Sequence, residues 1–185
     1  MQIKESRDII ISGKQGSGKT TLATAIASNP HYYHVRFATV LYEMHDAVLA
    51  IGRKYGIQRA LDKTLLQLLG TEWGRKTVDP NVWVNVLQAK VRAIRNLDPN
   101  AKIVIDDCRF PNELEAFPDF LKIRLECDRQ LRKMRCSQWR ENESHISESA
   151  LTGVGFLFDH VLNTGVTDSN SLYELVKQYA NIKHY

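Results

Sequence analysis

Eight consecutive residues, Gly13-Lys14-Gln15-Gly16-Ser17-Gly18-Lys19-Thr20, spell G-x-x-x-x-G-K-[ST] and restrict the folds open to this chain more than any other feature. The glycines let the backbone curl so that successive N–H groups point at one anion. Such a loop needs a strand to launch it and a helix to receive it. The β-branched run Ile9-Ile10-Ile11 precedes it, and Thr21 to Ala27 reads as a helix stopped by Asn29-Pro30. The N-terminus of that helix faces the bound phosphates. The pattern predicts a nucleoside triphosphate site. Residues Lys14, Gln15, Gly16, Ser17, Gly18, Lys19, Thr20 and Thr21 line the phosphates, Lys19 reaches the β/γ-phosphates, and the Thr20 hydroxyl holds Mg²⁺.

The chain has 185 residues, suited to one α/β domain with a substantial core. Its net charge of +4, from 25 basic and 21 acidic residues, is too small and dispersed to argue for a nucleic-acid partner. Cys108, Cys127 and Cys136 show no metal-ligand spacing, and a sparse odd count suits a reducing compartment. The start Met1-Gln2-Ile3-Lys4-Glu5 carries no apolar targeting region, and no segment has the apolar length of a membrane span. A soluble, cytoplasmic protein is expected.

Strand and helix signals alternate along the chain. Tyr33, Val35 and Phe37 alternate with His34 and Arg36 as a second strand. Val40, Leu41, Met44, Val48 and Ile51 recur at helical spacing, and Ala60 to Leu69 suggests another helix ending at Gly70. Asp79-Pro80 opens a helix carrying Val82, Trp83, Val86, Leu87, Ile94 and Leu97, closed by Pro99-Asn100. Ile103-Val104-Ile105 is a buried strand, Leu121, Ile123 and Leu125 mark a fourth, and His160-Val161-Leu162 a fifth before a terminal helix. Strands separated by helices predict a five-stranded parallel sheet with ligands at the strands' carboxyl ends. Helices with broad apolar faces leave a homodimer open.

Three further clusters carry chemistry. Asp106 and Asp107 follow the third strand, where such folds place a carboxylate on Mg²⁺ or substrate, and Arg109 offers a fork that matches a phosphate. Arg129, Arg132 and Arg135, with Lys133 and then Arg140, form a basic segment able to act as a lid that neutralises a moving phosphoryl group, or to be a solvated helix face. Trp73 and Trp83 flank Arg75 and Lys76, which reads equally as a stacking platform beside a phosphate or as core.

The loop, Phe37-Ala38 leading into a Leu41-containing helix, Gly70-Thr71-Glu72-Trp73-Gly74-Arg75, Asp107-x-Arg109-Phe110-Pro111-Asn112-Glu113 and His145-x-Ser147-Glu148 together resemble the deoxynucleoside monophosphate kinases of tailed bacteriophages. The resemblance spans roughly residues 9–176. It implies a P-loop kinase fold: core at 1–37 and 98–128, a monophosphate-binding helical region at 38–97, an arginine lid at 129–150 and a C-terminal core at 151–185. On that resemblance Phe37, Trp73, Arg75, Trp83, Asp107 and Arg109 bind the acceptor monophosphate, with Arg75 and Arg109 gripping its phosphate and Asp107 near its sugar or the metal. Asp106 joins Thr20 at Mg²⁺. Arg132, Arg135 and Arg140 join Lys19 as catalytic cations. Val161-Leu162-Asn163-Thr164-Gly165 is similar to an adenine-side loop, which places Asn163 and Gly165 at the donor; host cytoplasm would be the setting for a phage protein. Thr39-Val40-Leu41-Tyr42 departs from the proline and lysine usual after Phe-Ala, which leaves base choice open. The implied reaction is phosphorylation of a deoxynucleoside 5′-monophosphate with ATP as donor. A kinase of a phosphorylated non-nucleotide metabolite, similar to phosphomevalonate or dephospho-coenzyme A kinase, and a slow NTP-hydrolysing switch share the same loop.

Overall fold

The computed structural model describes residues 5–137, 139, 150–151, 153 and 155–183. The chain forms two compact units, one from the residues up to Val35 and from Ile94 onward, the other Arg36–Ala93. Among the described residues no helix is long and apolar enough to cross a membrane.

The first unit holds a five-stranded sheet, all parallel, in the order β2-β3-β1-β4-β5. Its strands are β1 (Ile9–Gly13), β2 (Tyr32–Val35), β3 (Lys102–Cys108), β4 (Leu121–Glu126) and β5 (His160–Asn163). β1 is central. Ile9 is in register with Val104 on one side and Leu121 on the other, and Ile9, Ile10 and Ile11 are fully buried. This is why the strand reads as an unbroken apolar run rather than an alternating one. β4 alternates instead, its Leu121, Ile123 and Leu125 turned into the core.

One face of the sheet is covered by α1 (Lys19–Ala27) and the terminal helix, numbered α7 (Ser169–Ala180). Leu22, Ala23 and Ile26 of α1 and Leu172, Val176 and Ala180 of α7 share a core with Ile9, Ile11, Val104 and Leu125. α1 ends where Asn29 Nδ2 donates to the Ile26 carbonyl at 2.7 Å. Asp168 opens α7 by accepting from the Asn170 and Ser171 amides at 3.0 Å each.

The second unit is helical: α2 (Thr39–Lys54), α3 (Lys63–Gln67), a π-helical stretch (Leu68–Val78) and most of α4 (Val82–Leu97). Asp62 caps α3 by accepting from the Leu65 amide, while the buried His45 of α2 accepts from the Asp62 amide at 2.9 Å. The helix expected to end at Gly70 instead runs on as the wider π-helix to Val78. Gly70 and Gly74 serve packing there rather than termination. A side-chain carbon at Gly74 would run into the Trp83 ring. The second strand also stops two residues short of Phe37, which lies beyond the sheet and is buried.

The first unit is completed by two short helices, α5 (Pro111–Glu115) and α6 (Arg129–Arg135).

Candidate active site

The phosphate loop bridges β1 and α1, and its backbone carbonyls are all turned to protein donors where they can be followed. The Lys14 carbonyl takes the Ser17 amide at 3.2 Å and Lys19 Nζ at 2.9 Å. Arg132 Nη1 donates to the Gln15 carbonyl at 3.1 Å, and Thr164 Oγ1 donates to the Ser17 carbonyl at 3.1 Å. With these carbonyls engaged by protein donors, the curl of the loop can turn N–H groups toward an anion. Gly16 sits at φ 78°, in the left-handed region, and a Cβ there would lie 2.5 Å from the Arg132 carbonyl oxygen. Ser17 is fully buried beside Gly13, and its hydroxyl has no hydrogen-bond partner. A buried hydroxyl left unpaired costs about 1–3 kcal/mol, which a phosphate oxygen or its water would relieve. The loop therefore fits a phosphate chain.

Thr20 and Asp106 meet as expected from their places on α1 and β3: Thr20 Oγ1 donates to Asp106 Oδ2 at 2.7 Å. Asp106 is buried, and its other oxygen lies 2.9 Å from His34 Nε2 on the neighbouring strand β2. The two atoms are at ion-pair distance but do not meet hydrogen-bond geometry. Hydroxyl and carboxylate oxygens are the donors Mg²⁺ prefers, with water and phosphate completing its shell. Among the described residues no group of three or more His, Cys, Asp or Glu side chains forms a self-sufficient metal cage, and a nucleotide-bound Mg²⁺ requires none.

Asp107 belongs to the same strand, and Arg109 follows at its end. Glu113, 2% exposed, anchors this turn: its Oε2 accepts from the Arg109 amide at 2.7 Å and the Phe110 amide at 3.1 Å. Glu113 stands at the third position of α5, the capping-box spacing, so the sequence carried a signal for it. Burial, reinforced by the Glu113 and Asp107 carboxylates, pushes the Cys108 thiol well above its ordinary value. Cys108 is thus a neutral packing group between the two polar residues.

α6 presents its arginines differently from an open lid. Arg132, 4% exposed, donates through Nε to the Cys127 carbonyl at 3.1 Å as well as to Gln15. Arg135 donates through Nη2 to the Thr164 carbonyl at 3.0 Å and through Nη1 to the Thr164 hydroxyl at 3.4 Å. Arg129 and Arg132 stand 5.7 and 5.4 Å from the Trp139 ring centroid. A cavity of about 390 Å³ opens beside the loop, lined by Lys14, Arg132, Asn163 and the end of β4 from Leu125 to Asp128. Asn163 Oδ1 accepts from the Gly165 amide at 2.8 Å, shaping the turn after β5. Arg140 and the His145-x-Ser147-Glu148 pattern lie outside the described residues.

In the helical unit the two tryptophans part ways. Trp83 is buried and its indole N–H donates to the Gly70 carbonyl at 2.8 Å, making it a core residue. Trp73 is 44% exposed, its ring 6.4 Å from that of Trp83 at a tilt of 49°. Arg75 is half-buried and reaches the Pro80 carbonyl at 3.4 Å. Three participants had no role assigned from sequence: His34, Glu113 and Thr164. Glu113 and Thr164 lay within motifs that the sequence did mark, and Glu113 also had a spacing signal; His34 owes its place to tertiary proximity.

A sugar kinase from Janibacter sp. shares the fold, with a TM-score of 0.53 and 16% identity over 96% of this chain and 95% of that one. A Thermus thermophilus protein aligns with a TM-score of 0.54 and 19% identity over 98% and 100%. Shikimate kinase from Bacteroides thetaiotaomicron gives 0.51 and 15% over 95% and 99%. No curated protein matches the chain in sequence. An AAA domain family model matches residues 9–152, from the first residue of β1 past α6. With that span matched and the loop, sheet order and Thr20–Asp106 pair in place, the chain belongs to the AAA domain family and has the fold of a P-loop kinase.

Proposed function

We propose that this chain transfers the γ-phosphoryl group of ATP to a deoxynucleoside 5′-monophosphate. The observation that carries the reading is the double use of β3. Its Asp106 pairs with Thr20 at 2.7 Å, and the same strand runs directly into Asp107 and Arg109, a carboxylate and a guanidinium suited to a second phosphorylated ligand.

In this reading the amides of residues 14–19 and the Lys19 ammonium hold the donor phosphates, with Thr21 behind them at the start of α1. Thr20 and Asp106 would hold Mg²⁺, which would supply positive charge to offset that of the donor phosphates. Lys19, resting 2.9 Å from the Lys14 carbonyl, turns its ammonium to the phosphates instead. Asn163 and Gly165 shape the turn on the adenine side. Arg109 fixes the acceptor phosphate and Asp107 its sugar, while Arg75, Trp73 and Phe37 are the acceptor-binding groups of the helical unit. The acceptor oxygen of a monophosphate has a pKa of ~6 and is largely ionised at neutral pH, so the protein need not supply a base. Its task is alignment and charge screening.

The test is ADP formation from ATP with a panel of deoxy- and ribonucleoside monophosphates. Shikimate and simple sugars belong in the panel because proteins bearing those names share the fold. At least one deoxynucleoside monophosphate should stimulate turnover. A panel in which none does, or in which a non-nucleotide alone does, overturns the reading.

A further inference from the structure

Two of the three arginines of α6, Arg132 and Arg135, and the first residue after β5, Thr164, gather at the phosphate loop from outside it. A loop that aims N–H groups at an anion must turn its carbonyls the other way, and each needs a donor there. Arg132 supplies the donor at Gln15, and Thr164 supplies the one at Ser17, both at 3.1 Å. Thr164 is itself held on three sides. Its amide donates to the Glu126 carbonyl at 2.8 Å, its carbonyl takes Arg135 Nη2 at 3.0 Å, and its hydroxyl accepts from Arg135 Nη1 at 3.4 Å. The hydroxyl proton has two carbonyls within reach, Ser17 at 3.1 Å and Glu126 at 3.4 Å, and the shorter contact is to the loop. Thr164 is 4% exposed and Arg132 equally so, which gives these bonds a low-dielectric setting. The steric counterpart is Gly16, pressed so closely on the Arg132 backbone that a Cβ would lie 2.5 Å from its oxygen.

We propose that Thr164 is a positioning residue for the phosphate loop, and that Arg132 and Arg135 act through the Gln15 and Ser17 carbonyls rather than on the transferring phosphoryl group. The clasp sets which way the loop amides face before any nucleotide arrives. It deepens the donor half of the proposed function and is independent of the acceptor. Donor binding alone therefore tests it, whatever the acceptor panel shows.

A group on the moving phosphoryl and a group bracing the loop differ in what they do to ADP, which lacks that phosphoryl. Thr164→Val keeps the shape of the side chain and removes the hydroxyl. Affinity for ADP and for ATP, measured by calorimetry on the full chain, should fall together by roughly 5- to 20-fold, the size of one lost hydrogen bond to a buried carbonyl. Thr164→Ser should restore both. In ATP turnover the change should fall on KM rather than kcat. Arg132→Lys should behave like Thr164→Val. If Thr164→Val fails to fold, Arg135→Met, on an exposed residue, must show the same paired loss. Unchanged ADP affinity in whichever of these variants folds overturns the proposal. So does an arginine variant that keeps ADP affinity but loses turnover, since that is the signature of a group on the transferring phosphoryl.

Discussion

The phosphate loop and the helical unit solve opposite problems. Around the loop, polar groups are tied inward: Lys14, Gln15 and Ser17 each have a carbonyl engaged, Thr20 is bonded to Asp106, and Ser17 is fully buried. In the helical unit large side chains face outward. Tyr42, Ile51, Tyr55, Ile57, Leu68 and Trp73 are all exposed, and the chain there departs from regular α-helix for eleven residues. A triphosphate is the same ligand for every P-loop protein, so the group that holds it can be rigid and stereotyped. On the proposed function the helical unit meets the acceptor, a ligand that differs from one kinase to the next. The contrast then sets a donor half fixed by its ligand against an acceptor half shaped by the choice of substrate.

Lys19→Ala breaks the comparison most directly. It removes the ammonium that the proposed function places at the β/γ-phosphates, and ADP formation should fall by roughly 10²–10³-fold with the circular dichroism spectrum unchanged. Appreciable turnover in that variant defeats the assigned mechanism. On the acceptor side, Arg109→Met should raise the acceptor KM about 10- to 100-fold while leaving the ATP dissociation constant in place, the range expected for a lost charge-assisted hydrogen bond. A matching loss of ATP affinity would show that the two halves are not separable at β3.

Trp83→Phe sharpens the contrast through stability. It leaves the Gly70 carbonyl without its 2.8 Å donor in a buried setting and should cost about 1–3 kcal/mol in denaturant unfolding, with ADP affinity unaltered. Were Trp83 a stacking surface instead, acceptor binding would suffer more than stability. The smallest effect concerns α7. Hydrogen bonds from Ser171, side chain first and then backbone, hold the Asp168 carboxyl below its ordinary value. A depressed carboxyl stabilises the fold at pH above its unfolded pKa, and that contribution is lost as pH falls through the folded one. Asp168→Asn keeps the cap without the charge, so the acid limb of a pH–stability curve should flatten slightly. An unchanged acid limb would mean the cap acts through geometry alone.

Much of the sheet unit was legible in the residues. Apolar runs at Ile9–Ile11 and Ile103–Ile105 mark buried parallel strands, and β-branched residues at that density have few other uses. The loop was readable because its glycines and Lys19 are tied to one ligand. The helical unit was harder. Gly70 resembles a helix stop, yet it lies inside a π-helix and a Cβ there would sit 3.3 Å from Leu41, so its glycine answers a packing demand that no local rule encodes. Trp83 looked the same as Trp73 in sequence and differs only in burial. The Thr164 segment was marked as a loop, but its bond to Ser17 was not legible, nor was the approach of His34 to Asp106, because these partners are brought close by the sheet and not by the chain.

The central place of β1 has a consequence for how the chain is made. The strand that launches the loop pairs with β3 and β4, which lie far beyond it in the sequence and emerge later. Closing such distant contacts is slow, and until they close, Ile9, Ile10 and Ile11 form a bare apolar edge open to wrong partners. Nucleotide capture by a nascent or refolding chain would thus mark the end of assembly, because no earlier intermediate has a stem on which the loop can stand.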